Sequence, residues 1–179
     1  MNHSIVSNLN VEQAESDCLI VAIYQNKELS AAAGSIDKIS SGSLSEILEF
    51  GDFTGKSGEA QLLYKVAGIA AKRLLIIGCG EKQKFDAFAL RSATKTAVSK
   101  LANQSVSKMT SLLGDDLASE DTANNLIMQA VLGAADSRYQ FTKHKSEAPE
   151  AISGQHLEIA FTGTFDGNDE ALNQASAVA

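Results

Sequence analysis

Two short runs of the chain are apolar at almost every position: Cys18–Tyr24 (CLIVAIY) and Arg73–Ile77 (RLLII). A strand with one face in water alternates apolar and polar residues. An unbroken run of this length instead predicts a strand covered on both faces, as in a parallel sheet between layers of helix. Further strands are read at Ala60–Val66 (AQLLYKV), Lys108–Leu113 and Leu157–Thr162 (LEIAFT). Ile5, Val6 and Leu9 suggest a short first strand.

Between these runs the apolar spacing lengthens to that of a helix. Asp86 opens one to about Asn103, with Ala89, Leu90, Ala93, Ala97, Val98 and Leu101 on one face. Ser30 is placed to cap a helix through Ala31–Ile39. Gly42 then interrupts, and Ser43 with Glu46 three residues later has the form of a capping box for a second short helix. Ser119 or Asp121 starts another helix, which carries Leu126, Ile127, Ala130, Val131 and Ala134 to about Ser137. The segments Gly51–Gly58 and Lys143–Gly154 read as loops, Gly163–Asn168 as a turn, and Asp169 as the start of a last helix. Strands alternating with helices predict an α/β domain with a mixed, mostly parallel sheet between helix layers.

At 179 residues the chain is expected to form one domain. A chain of this size buries roughly 70% of its unfolded surface, enough for a core without staples. Lys and Arg number 15 against 22 Asp and Glu, a net charge of -7. That balance opposes general affinity for nucleic acid or anionic membrane. Cys18 and Cys79 both sit in apolar runs, the pattern of buried reduced thiols in a cytosolic protein. Met1–Asn10 lacks the features of a signal peptide, and no apolar stretch approaches the length of a membrane span. The expectation is a soluble, cytoplasmic chain. The helix from Asp169 reaches Ala179 without a stop signal, so a longer protein is expected.

Several segments imitate known chemistry without completing it. Gly51-Asp52-Phe53-Thr54-Gly55-Lys56-Ser57 is one residue short of a phosphate loop, and a helix precedes it where a strand is required. Gly78-Cys79-Gly80 follows a buried strand, the right place for a ligand turn. Its dinucleotide fingerprint fails at Gln83, so a tight turn with close backbone packing is the plainer reading. His3, His144 and His156 are scattered and lack the spacing of metal ligands. Asp115-Asp116 and Asp166-Gly167-Asn168-Asp169 lack the calcium-loop pattern and read as caps and turns. No serine has a histidine and a carboxylate in a recognisable triad order, and nothing marks Cys79 as an activated nucleophile. No catalytic, cofactor-binding or metal-ligating residue is assigned.

Ile36-Asp37-Lys38-Ile39-Ser40-Ser41-Gly42-Ser43-Leu44, followed by Gly51–Gly58, resembles the N-terminal domain of bacterial leucine aminopeptidases, the cytosol aminopeptidase family. So do Arg73–Glu81 (RLLIIGCGE) and the aromatic stretch Tyr139-Gln140-Phe141-Thr142-Lys143. The resemblance covers nearly the whole chain. It implies a macro-domain-like sheet between helix layers over residues 1–165, with residues 166–179 beginning a helix that leads to a catalytic domain. It also implies that the peptidase chemistry, with two divalent metals (zinc or manganese), belongs to that C-terminal catalytic domain, whose N-T-D-A-E-G-R motif does not occur here. By the same resemblance the parent enzyme is a homo-oligomer, a hexamer, with this domain as an accessory and assembly part at its periphery. This chain by itself is expected to need no cofactor. Two alternatives remain open: a DNA-binding module of a bifunctional aminopeptidase, and a macro-like nucleotide-binding domain using Gly78–Gly80 as its phosphate turn. The basic residues Lys56, Lys65, Lys72, Arg73, Lys82, Lys84, Lys143 and Lys145 are too thinly spread to favour DNA.

Overall fold

The computed structural model describes residues 1–117, 123–143 and 155–163, with residues 173 and 177. The elements are β1 (Asn2–Val6), β2 (Cys18–Tyr24), β3 (Glu28–Leu29), α1 (Ala31–Ile39), α2 (Ser43–Phe50), β4 (Ala60–Tyr64), β5 (Arg73–Gly78), α3 (Ala87–Leu101), β6 (Lys108–Ser111), α4 (Ala123–Lys143) and β7 (His156–Ala160). Short 3-10 turns occupy Lys82–Lys84 and Asp115–Leu117.

The described strands form one seven-stranded sheet in the order β1-β7-β6-β2-β5-β4, with β3 beside β2. From β1 to β5 every neighbouring pair is parallel, and β4 runs antiparallel on β5. This is the mixed, mostly parallel sheet that the apolar runs predict. In register, Leu19 lies beside Leu74 and Val21 beside Ile76 on one flank of β2, while Cys18 lies beside Met109 on the other.

Every residue of β2 is buried, because both of its faces meet helices. Cys18, Ile20, Ala22 and Tyr24 join Leu75 and Ile77 in a cluster with Leu90, Ala97 and Leu101 of α3 and Leu126, Ile127 and Val131 of α4. Leu19, Val21 and Ile23 join Leu74 and Ile76 on the other face, against Ala33 and Ile36 of α1 and Leu44 and Leu48 of α2. The two-residue alternation of a strand thus divides one apolar run between two cores. Helices α3 and α4 approach so closely that a Cβ at Gly133 would collide with the Arg91 carbonyl. The Arg91 guanidinium grips Asp136 at the same contact, at 2.7 and 3.0 Å.

The helix starts follow the sequence with one correction. The Ser30 hydroxyl accepts from the Ala33 N–H, and the Asp86 carboxylate from the Ala89 N–H. At α2, however, Gly42 is the capping residue, Ser43 already belongs to the helix, and no capping box forms. Asp37 on α1 supplies the acceptor instead, taking Leu44 N–H (2.8 Å), Ser45 N–H (2.9 Å) and Ser45 Oγ (2.6 Å). A charged acceptor is stronger than a hydroxyl, and Ser43 Oγ turns to donate to the Ser40 carbonyl. Burial raises the Asp37 carboxyl, but the Ser45 and Leu44 donors outweigh it and leave it below its ordinary value.

Other boundaries shift. β1 begins at Asn2 and Leu9 lies beyond it; β4 stops at Tyr64, where Lys65 turns to φ +55°. β6 ends at Ser111, β7 spans His156–Ala160, and α4 continues to Lys143 instead of stopping near Ser137. The stretch Tyr139–Lys143 therefore belongs to the last part of α4. The pairing strand β3 is too short to leave a pattern. The caps Ser119 and Asp121, the loop after Lys143, and the turn and helix after Gly163 fall outside the described residues, apart from residues 173 and 177.

Ile76 is fully buried at the centre of this arrangement. Ile76→Asp is expected to lose several kcal/mol by placing an unpaired carboxylate there, enough to unfold a domain of ordinary stability. Thermal melting followed by circular dichroism checks it. A variant that melts with the parent would mean that β5 is not a buried strand.

Candidate functional site

In open α/β sheets, ligands bind beyond the carboxyl ends of the strands, where successive crossovers leave on opposite faces. Here α1 follows β2 onto one face and α3 follows β5 onto the other. The strand order reverses at β2: the chain leaves β2 toward β4 and β5, and leaves β6 toward β7, so both flanks of the β2 end are places to look. The β5 flank holds Tyr24-Gln25, the turn Gly78-Cys79-Gly80, and the loop between α2 and β4.

That flank is closed by the chain's own backbone. The Gly78 N–H donates to the Glu59 carbonyl (2.8 Å), Cys79 N–H to Ile23 (2.9 Å), Gly80 N–H to Gly55 (2.8 Å) and Gln25 N–H to Gly80 (2.9 Å). Gly55 adopts φ +75°, and a Cβ there would collide with the Tyr24 carbonyl. Only glycine lets the loop lie this close. The amide hydrogens of Gly78, Cys79 and Gly80, which a phosphate turn would offer, are thus already in use.

The segment that imitates a phosphate loop is closed in the same way. It joins α2 to β4, as its sequence context indicates. The Glu59 carboxylate accepts from Thr54 N–H (2.8 Å) and Thr54 Oγ1 (2.7 Å). Burial raises its carboxyl, but Thr54 and the Gly55 and Lys56 amides outweigh burial and hold it below the ordinary value. An internal anion sits where an external one would have to bind.

On the other side of Tyr24, Asp116 accepts from Ala31 N–H at the start of α1 (2.9 Å) and faces Lys82 Nζ (3.6 Å). Lys82 also pairs with Glu28 (2.9 Å) and lies over the Tyr24 ring at 5.4 Å. Tyr24 packs edge-on against Phe85, with centroids 5.5 Å apart. Burial, reinforced by Asp116, pushes the Tyr24 phenol up. Asp115 takes Thr162 N–H (2.7 Å) and Oγ1 (2.8 Å) beyond β7. The two aspartates are therefore ties between segments 85 and 47 positions apart, where the sequence suggested local caps and turns.

The thiols are buried and unbridged. Burial pushes both Cys18 and Cys79 up to about 12, far from the thiolate a nucleophile needs. One contact escaped the sequence: Ser4 Oγ lies 2.7 Å from His156 Nε2 across β1 and β7, 152 positions apart. The buried carboxylate of the same strand, Glu158, is spent on Thr110 Oγ1 (2.9 Å) and Lys108 Nζ (3.2 Å). Among the described residues no three His, Cys, Asp or Glu gather to hold a metal. His144 lies outside them. A shallow apolar groove of about 480 Å³ runs along the β4–β5 hairpin, lined by Val66, Ile69 and Ala71.

A model of the N-terminal domain of the cytosol aminopeptidase family matches residues 20–148. The chain belongs to this family. A probable cytosol aminopeptidase of Acidithiobacillus ferrooxidans is 37% identical over 152 residues, covering 83% of this chain and 30% of that protein. One from Paraburkholderia phytofirmans is 32% identical over 168 residues, covering 92% and 33%. The chain spans about a third of the length of the curated relatives it matches. Among solved structures, a tomato leucine aminopeptidase mutant superposes with a TM-score of 0.74 at 19% identity, over 98% of this chain and 35% of that one. A mutant macrodomain of Oceanobacillus iheyensis gives 0.58 at 9% identity, over 97% and 89%. The fold is macro-like, as the resemblance implies.

In this aminopeptidase-family domain another strongly held carboxylate sits at the opposite, amino edge of the sheet. Asp17, just before β2, accepts from Lys72 Nζ (2.6 Å), Ser107 N–H (2.9 Å) and Lys108 N–H (3.1 Å). It joins the starts of β2, β5 and β6. The Lys72 hydrogen bond, with the Lys108 and Ser107 amides, lowers its carboxyl from 3.8 to about 2. A depressed native value stabilises the fold above the unfolded value and loses that contribution as pH falls through the native one. Asp17→Asn is expected to cost about 1–2 kcal/mol at neutral pH. It should also flatten the loss of stability between pH 3.8 and about 2. Urea melts across the acid range check this; parallel curves for variant and parent would remove Asp17 from the account.

Proposed function

We propose that the chain is the non-catalytic accessory and assembly domain of a leucyl-aminopeptidase-type metalloexopeptidase of the cytoplasm. It works against a C-terminal catalytic domain within a homo-oligomeric, hexameric parent. Family membership supports this reading, and the proportion of the relatives' length that the chain spans agrees with it. The observation that carries it is the closed carboxyl edge of the sheet, where backbone amides and Glu59 satisfy one another. A scaffold whose usual ligand crevice is filled by its own groups is suited to packing, not to turnover.

For the two divalent metals proposed for the parent, zinc or manganese, no three His, Cys, Asp or Glu gather among the described residues. Asp17, Asp37, Glu59, Asp115, Asp116 and Glu158 each already hold amide, hydroxyl or ammonium donors of this chain. No step is assigned to a metal on this domain. No described helix is long and apolar enough to cross a membrane.

The purified chain is expected to leave leucine p-nitroanilide uncleaved, with or without added manganese or zinc. Metal-dependent release of nitroaniline, abolished by a substitution within this chain, would overturn the accessory-domain reading.

DNA binding is not favoured for the isolated domain. Lys72, Lys82 and Lys84, three of the cations available to it, are paired with Asp17, Glu28 and Glu81. His144 and Lys145 of the Lys143-His144-Lys145 cluster lie outside the described residues. At net charge -7, duplex binding should be no tighter than about 0.1 mM at physiological salt. Fluorescence anisotropy at two salt concentrations measures it. Low-micromolar, salt-sensitive binding lost in the Lys143→Glu, Lys145→Glu double variant would favour the DNA reading instead.

A further inference from the structure

We propose that the outer edge of β4 pairs with the same strand of a second copy of this chain, antiparallel and centred on Leu62. β4 ends the sheet formed by the described strands, and its five residues, AQLLY, carry no charge. Exposed edges are ordinarily protected from such pairing by charge, proline or a bulge. Three large apolar side chains are exposed among the described residues, one of them on this strand. Tyr64 is 60% exposed on β4, Phe50 73% at the end of α2, and Phe88 71% at the start of α3. α3 lies beside β4; Ala60, Leu62 and Ala87 pack against one apolar cluster, and Leu63 packs against the other, which includes Leu48 of α2.

The hydrogen-bond phase of β4 fits a two-fold pairing. Gly78 N–H donates to the Glu59 carbonyl, and Lys65 N–H to the Lys72 carbonyl. Bonded and non-bonded pairs alternate along an antiparallel ladder. Gln61 and Leu63 therefore direct their amide groups at β5, while Ala60, Leu62 and Tyr64 direct theirs outward. Centring the new ladder on Leu62 uses all three. Leu62 then faces Leu62 of the second copy, and Ala60 faces Tyr64.

The strand ends are complementary in charge in the same register. Glu59 of one copy, its carboxylate still held by Thr54, falls opposite Lys65 of the other, and the two-fold axis repeats the approach of opposite charges. Lys65 has no ion-pair partner among the described residues. Each copy carries a net charge of -7, and an uncharged strand bounded by one acid and one base lets two such surfaces meet without placing like charges opposite each other. The pairing is distinct from the accessory-domain reading, and losing it would leave that reading intact.

Sedimentation of the full chain over a concentration series, with two variants, tests the proposal. The parent should show a concentration-dependent dimer. Tyr64→Pro removes an outward N–H at an exposed edge position that tolerates proline, and it should weaken dimerisation by at least about tenfold. For register, Leu62→Cys places two thiols on residues about 5.5 Å apart between Cα atoms, within disulfide reach. It should form an intermolecular disulfide on oxidation, whereas Tyr64→Cys, remote from its own copy, should not. The native thiols are buried and should not interfere. A parent that stays monomeric, a Tyr64→Pro variant that dimerises as well as the parent, or crosslinking through Tyr64→Cys but not Leu62→Cys would each overturn the proposal.

Discussion

The parallel pairing of β2 with β5 and β6 is the contact on which the rest of the structure depends. β2 is buried along its whole length and contributes to both apolar clusters, one on each face of the sheet. A backbone so placed must satisfy its hydrogen bonds inside the sheet, because water cannot reach it. Its position then directs the chain. α1 leaves its end toward one layer, α3 leaves the end of β5 toward the other, and the crevice between them becomes the focal point of the fold. Asp17 holds the starts of β2, β5 and β6 together at the opposite edge.

The acidic composition has a structural use. Asp37 caps α2 from α1, Glu59 fills its own loop, Asp116 reaches the first amide of α1, and Asp115 holds the residue two beyond β7. Each carboxylate meets amides that have no partner in a helix or ladder. Such charge-assisted bonds are stronger than those between neutral groups. They also leave fewer free anions to coordinate a cation and fewer free amides to hold a phosphate. The same bonds that stabilise the loops thereby close the β5 flank of the β2 end.

The comparison with a macrodomain fits this picture without borrowing from it. Two chains at 9% identity share the sheet and its helix layers, and a shared scaffold does not carry a shared site. In the present chain the turn Gly78-Cys79-Gly80 keeps the position of a ligand turn but spends its amides on Glu59, Ile23 and Gly55. The family to which the chain belongs is named for an aminopeptidase activity, and the amides of Gly78, Cys79 and Gly80 here are bonded within the chain.

The sequence by itself determined the layered α/β class, the central strands and most helix starts. These are set by local periodicity and by caps lying within three residues of the amides they serve, as with Ser30 and Asp86. It also told against a phosphate loop, since the order of elements around Gly51–Gly58 is readable from pattern alone. Only the tertiary structure decided which acceptor caps α2, because Asp37 lies seven and eight positions from the amides it takes. Only it brought Ser4 to His156, and Asp115 to Thr162 47 positions away. It also decided that the crevice is closed and that β4 is an edge. Each depends on strand order, and strand order follows from which buried faces fit together across the sheet, a property that no single stretch of the chain contains.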